Sequence, residues 1–206
     1  NVGVGRSVAS SGCENVRVFH ADHLKVSWND ALRPPPPAGT QQVRTINCWG
    51  DSVQADVARL RVLVVGDGSV GLPVGAALSA SGIEVVASID YDTIKVHNLD
   101  RLAEATPLDA YLKRPKAGLA RRLVADAATA RHPQHRHWEL SVCEPAGLSR
   151  ALDFDVIFSC VDRPWARHVL NTIAYADLIP VIDGGVHADP FPDGGMRGAM
   201  WRSHVA

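Results

Sequence analysis

No C-x-x-C pair occurs among the four cysteines, Cys13, Cys48, Cys143 and Cys160, so their spacing spells out no zinc site. Cys160 ends an apolar run and reads as a small buried hydrophobe. A surplus of charge is missing as well: 21 Lys and Arg stand against 22 Asp and Glu, for a formal net charge of −1. That balance leaves no electrostatic footprint for nucleic acid or for an anionic membrane surface. Nor does any apolar run approach the roughly 18 residues of a membrane-spanning helix. The chain opens on Asn1 without a signal-peptide pattern and reads as an excised fragment, with a reducing cytoplasm as its default compartment.

What is present suits a globular protein. With 206 residues, 46% of them hydrophobic, the chain can bury one full domain and carry a smaller appendage. Residues 1–42 differ from the rest. A glycine- and serine-rich start leads to a short strand expected around Val16–His20, and Arg33–Gly39 (RPPPPAG) reads as a stiff polyproline-like linker. This segment is expected to be a peripheral arm or the tail of a preceding domain. In FHADH, His20 and His23 flank Asp22, but with no third ligand on a defined element a solvated strand end is the better reading.

The most informative stretch is RVLVVGDGSVGLPVGAALSASGIEVVASIDYDTIKVHNLDR, residues 61–101. Its apolar opening fits a strand buried on both faces. Gly66, Gly68 and Gly71 then form G-x-G-x-x-G, with Ser69 between them, and Pro73 falls where an opening helix tolerates proline. Such a turn lets backbone approach phosphates, and the helix N-terminus supplies unpaired N–H groups. Asp90 stands at the end of the second strand, where a carboxylate can accept hydrogen bonds from ribose hydroxyls.

Further along, a helix is expected over Pro115–Arg131 and a strand over His137–Val142. Asp155–Val161 and Pro180–Asp183 read as buried strands, the latter ended by Gly184 and Gly185, with helical periodicity over Trp165–Leu178 between them. Trp165 and Trp201 read as packing residues. Strands alternating with helices predict an α/β, Rossmann-like, doubly wound and mostly parallel sheet with helices on both faces. Ligands of such sheets gather at the carboxyl ends of the strands, and Asp90, Asp162 and Asp183 all fall just past expected strand ends. After Asp90 come Asp92, Asn98, Arg101 and, on the next helix, Lys116. Two cations, an amide and several acids suit ATP with Mg²⁺ better than the pyrophosphate bridge of a dinucleotide.

The segment IDYDTIKVHNLDR resembles the D-x-D-x-V-x-x-S-N-L-x-R pattern of the ThiF/MoeB superfamily, which includes the ubiquitin-activating enzymes. Pro115-Lys116 is similar to its P-K, SCVDRPWAR to its D-x-T-D-N-x-x-x-R, and IPVIDGGV to a later strand, while Arg44 precedes the glycine turn at about the family's distance. The resemblance spans residues 43–206, expected as the adenylation domain. It implies an adenylyltransferase that activates the C-terminal carboxylate of a ubiquitin-like or sulfur-carrier protein, as a homodimer. By the same resemblance Asp90 holds the ribose, with Asp92 beside it. Asn98, Arg101 and Lys116 contact the phosphates, Asp162 binds Mg²⁺, and Arg44 reaches into the other protomer's site.

Each role has a plainer rival. Arg101 and Lys116 also read as surface charges paired to Glu104 or Asp109, Asp162 as a helix cap, Asn98 as a turn residue, and Asp92 and Asp183 as capping or turn acids. The pattern is departed from at Asp67, which puts a negative charge inside the loop, at Ser69 and His97, and at Asp100 before Arg101. Neither Cys143 nor Cys160 matches the thioester position of the family. A catalytically silent scaffold, an NAD-dependent oxidoreductase and dehydration of a tRNA carboxylate through an adenylate remain as alternatives.

Overall fold

In NVRVFH and HLKVSW apolar and polar residues alternate, the period of a strand with one covered face. The computed structural model describes residues 2–4, 12–20, 23–102 and 104–206. There β1 (Val2–Val4), β2 (Asn15–His20) and β3 (His23–Trp28) form a three-stranded antiparallel sheet. The strand expected at Val16–His20 is thus the centre of a small sheet. The FHADH reading lies outside the described residues. Residues 34–39, the polyproline stretch, carry no regular structure. They lead through a turn of 3₁₀ helix at Thr40–Gln42 into α1 (Val43–Trp49) and α2 (Asp51–Ala58).

The second sheet follows. It is built from β4 (Arg61–Val65), α3 (Gly71–Ala80), β5 (Val85–Ile89), α4 (Pro107–Tyr111), α5 (Lys116–Asp126), β6 (Gln134–Trp138) and α6 (Pro145–Ala151). The chain then passes through β7 (Val156–Ser159), α7 (Pro164–Asp177), β8 (Val181–Pro190) and β9 (Met196–Val205). The six strands lie in the order β6-β5-β4-β7-β8-β9. The first five run parallel, and β9 returns antiparallel to β8. The mostly parallel α/β sheet expected from the sequence is therefore what forms. Its topological switch point, where successive crossovers diverge, lies between β4 and β7.

Alternate residues of the central strands feed the two faces. Leu63, Val65, Ala87 and Ile89 pack with Ala151 of α6 and with Leu170, Ile173 and Ala174 of α7. On the other face Val62 and Val86 meet Val124 of α5 and Leu78 of α3. Among the described residues, no helix is long and apolar enough to cross a membrane.

Several expectations need correction. Gly184 and Gly185 do not end the last parallel strand, because β8 runs through them to Pro190, held by antiparallel pairing with β9. Asp183 consequently sits inside a strand. The third strand begins at Gln134 and stops at Trp138, since it pairs parallel with β5 in that register. The helix starting at Lys116 ends at Asp126. Trp165 does not pack: it is 65% exposed and stacks on His168 at 5.4 Å. The side chain of Trp201 lies outside the described residues.

The N-terminal sheet is fastened at the amino end of β7, far from the strands' carboxyl ends. The Asp155 carboxylate accepts from Asn15 Nδ2 at 3.2 Å, Arg17 at 3.0 Å, Arg33 at 3.0 Å and the backbone N–H of Arg61 at 2.8 Å. The guanidinium groups of Arg33 and Arg59 lie over the Trp28 ring, 4.9 and 5.0 Å from its centroid. A buried acid with four donors and an indole under two cations make a firm joint.

Candidate nucleotide-binding site

The glycine turn joins β4 to α3 at the carboxyl end of the sheet. It is tied to both neighbouring strands: Gly66 N–H donates to Ile89 O at 2.9 Å, and Cys160 N–H donates to Val65 O at 2.8 Å. Gly66 has φ of +96°, a conformation that costs a side-chain-bearing residue, and a Cβ there would lie 2.7 Å from the Cys160 carbonyl oxygen. A Cβ on Gly71 would meet the Gly66 carbonyl oxygen at 1.8 Å. Gly68 is the opposite case, with no atom of the described residues within 4 Å of the position its Cβ would take. The first and third glycines close the turn, and the second leaves an open approach to its backbone. Ser69, beside it, is exposed.

Beyond β5 the chain builds one side of this opening. Asp90 accepts the Asp67 N–H on Oδ2 and the Asp92 N–H on Oδ1, each at 2.7 Å. These bonds orient the carboxylate and leave each oxygen further acceptor capacity. Burial raises the Asp90 pKa above the usual carboxylate range, and the Asp92 amide and Lys116 offset part of that. Lys116 opens α5, where its N–H donates to Asp92 O at 2.9 Å and its Nζ lies 2.9 Å from Asp92 Oδ2. A single bridge between Thr93 and Pro115 holds the two segments together. The glycine turn, Asp90, Asp92 and Lys116 therefore converge as expected.

Other expected residues stand differently. Asn98 is buried, and its side-chain oxygen accepts the Lys95 N–H at 3.0 Å, closing a 3₁₀ turn over Val96–Asn98. This is the turn role, although its amide nitrogen donates to no partner among the described residues. Arg101 is half exposed and bonds none of the cluster's residues among the described residues. It donates to His97 O at 3.0 Å and Asp100 Oδ1 at 3.1 Å, so neither Glu104 nor Asp109 is its partner. Asp109 is taken instead by the Thr106 cap of α4 and by Arg114, donors that hold its carboxyl below the usual range. That helix was missed in the sequence, although Thr106, Pro107 and Asp109 form a capping box with proline in the first turn.

Asp162 is exposed and makes no hydrogen bond among the described residues. It does not cap α7, whose N-cap is Arg163. It follows Val161, whose Cγ1 lies 3.2 Å from the Cβ position of Gly66, so it stands at the rim of the turn. Asp183 is taken up elsewhere: it accepts from the Ser159 hydroxyl at 2.6 Å and faces Arg167 at 3.6 Å. It does not join the shared cluster. Arg44, on α1, is exposed and follows Gln42, whose side chain bonds Thr129 beyond the C-terminal end of α5. Within one chain it lies at the opposite end of the sheet from the glycine turn.

Burial pushes the Cys160 thiol up to about 12, so it is no nucleophile at neutral pH. All four cysteines are free. Among the described residues no three His, Cys, Asp or Glu side chains form a cation cage. Two hollows, of about 410 Å³ beside α5 and about 430 Å³ at the amino ends of the strands, lie apart from this cluster. The chemistry gathers at the open turn instead.

Known proteins resemble this chain in sequence and in fold. The molybdopterin-synthase adenylyltransferase of Escherichia coli is 29% identical over 126 residues, 60% of this chain and 48% of that protein. The adenylyltransferase and sulfurtransferase uba4 of Ogataea parapolymorpha is 30% identical over 163 residues, covering 78% of this chain and 39% of the relative. The chain thus spans less than half the length of these curated relatives. In fold it is similar to E. coli MccB with ATP, with a TM-score of 0.63 and 20% identity over 74% of this chain and 49% of that one. It is also similar to the E. coli tRNA N6-threonylcarbamoyladenosine dehydratase TcdA in complex with ATP, with a TM-score of 0.62 and 19% identity over 79% and 67% of the two chains. The ThiF family model matches residues 40–204, and the chain belongs to the ThiF family.

Proposed function

We propose that this domain is an ATP-dependent adenylyltransferase that activates the C-terminal carboxylate of a ubiquitin-like or sulfur-carrier protein. The observation that carries the reading is the open approach over Gly68, flanked by Asp90 and by the Asp92–Lys116 pair at the carboxyl ends of β4 and β5. Relatives named as adenylyltransferases and solved structures holding ATP support it.

In this reading the phosphates lie over the Gly68 backbone, at the positive dipole end of α3. Asp90 accepts from the ribose hydroxyls. Lys116 exchanges its Asp92 contact for phosphate oxygens, and Arg101 turns in from the surface to join it. The substrate carboxylate attacks the α-phosphorus, and the bond to the β-phosphate oxygen breaks with its electron pair leaving on pyrophosphate. Fixed cations around the phosphates stabilise the charge that builds in flight. Mg²⁺ enters with ATP. Asp162 fits it: an exposed carboxylate without a partner among the described residues suits an ion that takes one or two protein carboxylates beside substrate phosphates. The distance of Arg44 from the turn is what a homodimer with arginines acting in trans would require.

The test is pyrophosphate exchange. The intact protein, supplied with Mg-ATP and a carrier protein ending in a free carboxylate, is expected to return labelled pyrophosphate into ATP. Removal of the carrier's last residues should stop it. Binding of ATP without exchange for any carrier would favour a silent scaffold, a reading that the pairing of Arg101 with Asp100 also suits. Binding of NADH with indifference to ATP would overturn both.

A further inference from the structure

Asp67 occupies the second position of the glycine turn, and its side chain is enclosed rather than turned to solvent, at 1% exposure. Neither carboxylate oxygen has a hydrogen-bond partner among the described residues. Its backbone N–H donates to Asp90 Oδ2, so the two acids are adjacent by construction. The groups that face it are Ser88 and Asp90 from β5 and the residue after it, Lys116 from α5, and Cys160 after β7. Cys160 brings no charge. Burial first, and then Asp90, push Asp67 up to about 7; nearby Ser88 and Lys116 offset only part of this, and Ser88 without ordinary hydrogen-bond geometry.

An ionised carboxylate without donors is costly in such a place, and the cost rises when another anion arrives. Phosphates laid over Gly68 would bring negative charge to the residue next in the chain. The lysine would at the same time be drawn from the acids toward the phosphates. Both changes work against an ionised Asp67. Its acid form, by contrast, carries an O–H donor that the ionised form lacks.

We propose that Asp67 is a positioning residue of the nucleotide site that works as a neutral carboxylic acid, so that binding of a nucleotide's phosphates takes up a proton there. The inference rests on the nucleotide-binding reading above and adds a property of this chain's own turn. Asp67 binds its proton more firmly in the complex than in the free protein. Affinity therefore falls as pH rises through neutrality, by up to about tenfold per pH unit while the free form is ionised and the bound form is not.

Calorimetric titration of the intact protein with Mg-ATP, without any carboxylate acceptor, tests this. It would be run at about pH 6 and about pH 8.5 in buffers of different ionisation enthalpy, for wild type and Asp67→Asn. Wild type is expected to bind at least about tenfold more weakly at the higher pH and to take up close to one proton. Asp67→Asn should bind more tightly than wild type at the higher pH, with a flatter profile. Protonation of ATP itself is common to both proteins and cancels in the comparison. Equal pH profiles and proton counts in the two proteins would overturn the inference while leaving the nucleotide site standing. Absence of ATP binding at either pH in both proteins would overturn the site as well. If Asp67→Asn fails to fold, wild-type binding without proton uptake at the higher pH is enough to reject the idea.

Discussion

Lys116 is held by Asp92: the ammonium lies 2.9 Å from the carboxylate, and the lysine N–H donates to the aspartate carbonyl oxygen at the same distance. The lysine is thereby kept beside the glycine turn before any anion arrives. Lys116→Ala is expected to lower the pyrophosphate-exchange rate by about 10²–10³ with little loss of stability. Asp92 is largely solvated on its outer side, so Asp92→Asn should cost less than about 1 kcal/mol in urea unfolding. A larger loss of fold than of rate in Lys116→Ala would mark the pair as structural.

The two glycines of the turn should respond in opposite ways. Gly71→Ala places a methyl group 1.8 Å from a carbonyl oxygen, which neither backbone can yield to cheaply, and is expected to destabilise by about 3 kcal/mol or more. Gly68→Ala meets no protein atom and should keep its melting temperature while weakening Mg-ATP binding at least about tenfold. Thermal melts beside ATP titrations separate the two effects.

Removing Asp155 should release the N-terminal sheet without touching the nucleotide site. Asp155→Ala leaves Arg17 and Arg33 mostly buried without their anion and is expected to cost about 3–5 kcal/mol. Limited proteolysis should then cut within residues 29–39, and ATP affinity should stay within about twofold. An unchanged digestion pattern would argue against the joint.

Asp67 also makes stability depend on pH. Its value in the folded chain, about 7, is above the ordinary 3.8, so the folded state binds the proton more tightly than the unfolded one. The contribution is complete below the ordinary value and is lost as pH rises through about 7. Asp67→Asn should therefore gain on wild type between about pH 5 and pH 8, by on the order of 2–4 kcal/mol at the upper end. Denaturant midpoints at the two pH values check the sign.

If Arg44 acts across a dimer, its loss and that of Asp162 should complement. Arg44→Ala and Asp162→Ala are each expected to reduce exchange at least about 10²-fold. A mixture of the two should recover up to about a quarter of wild-type activity, because random pairing leaves one intact site in half of the dimers. No recovery on mixing would place the two residues in the same chain's chemistry or in neither.

The parallel sheet and the glycine turn were legible because they rest on local chemistry: an apolar run, three glycines at fixed spacing and an acid at the next strand's end. What escaped depended on partners distant in the chain. Strand β8 runs through Gly184 and Gly185 only because β9 pairs with it, and the same pairing turns Asp183 from an expected site acid into a strand residue bonded to Ser159. Trp165 has helical spacing with Ile173, yet it points outward because the buried stripe runs through Leu170, Ile173 and Ala174. The direction of Arg101 is a side-chain choice between Asp100 and the cluster, which spacing does not decide. Asp67 was visible as an oddity, but its enclosure follows from the packing of β5, α5 and β7.

Gly66 rests against Cys160 and Val161, so the floor of the turn comes from a strand made long after the turn itself. During synthesis the loop, Asp90 and Lys116 all leave the ribosome while β4 still lacks its β7 neighbour. A nascent chain halted before residue 160 would carry nearly every polar group of the cleft yet lack the wall that shapes it. Competence to hold a nucleotide would then arrive abruptly, once β7 is in place.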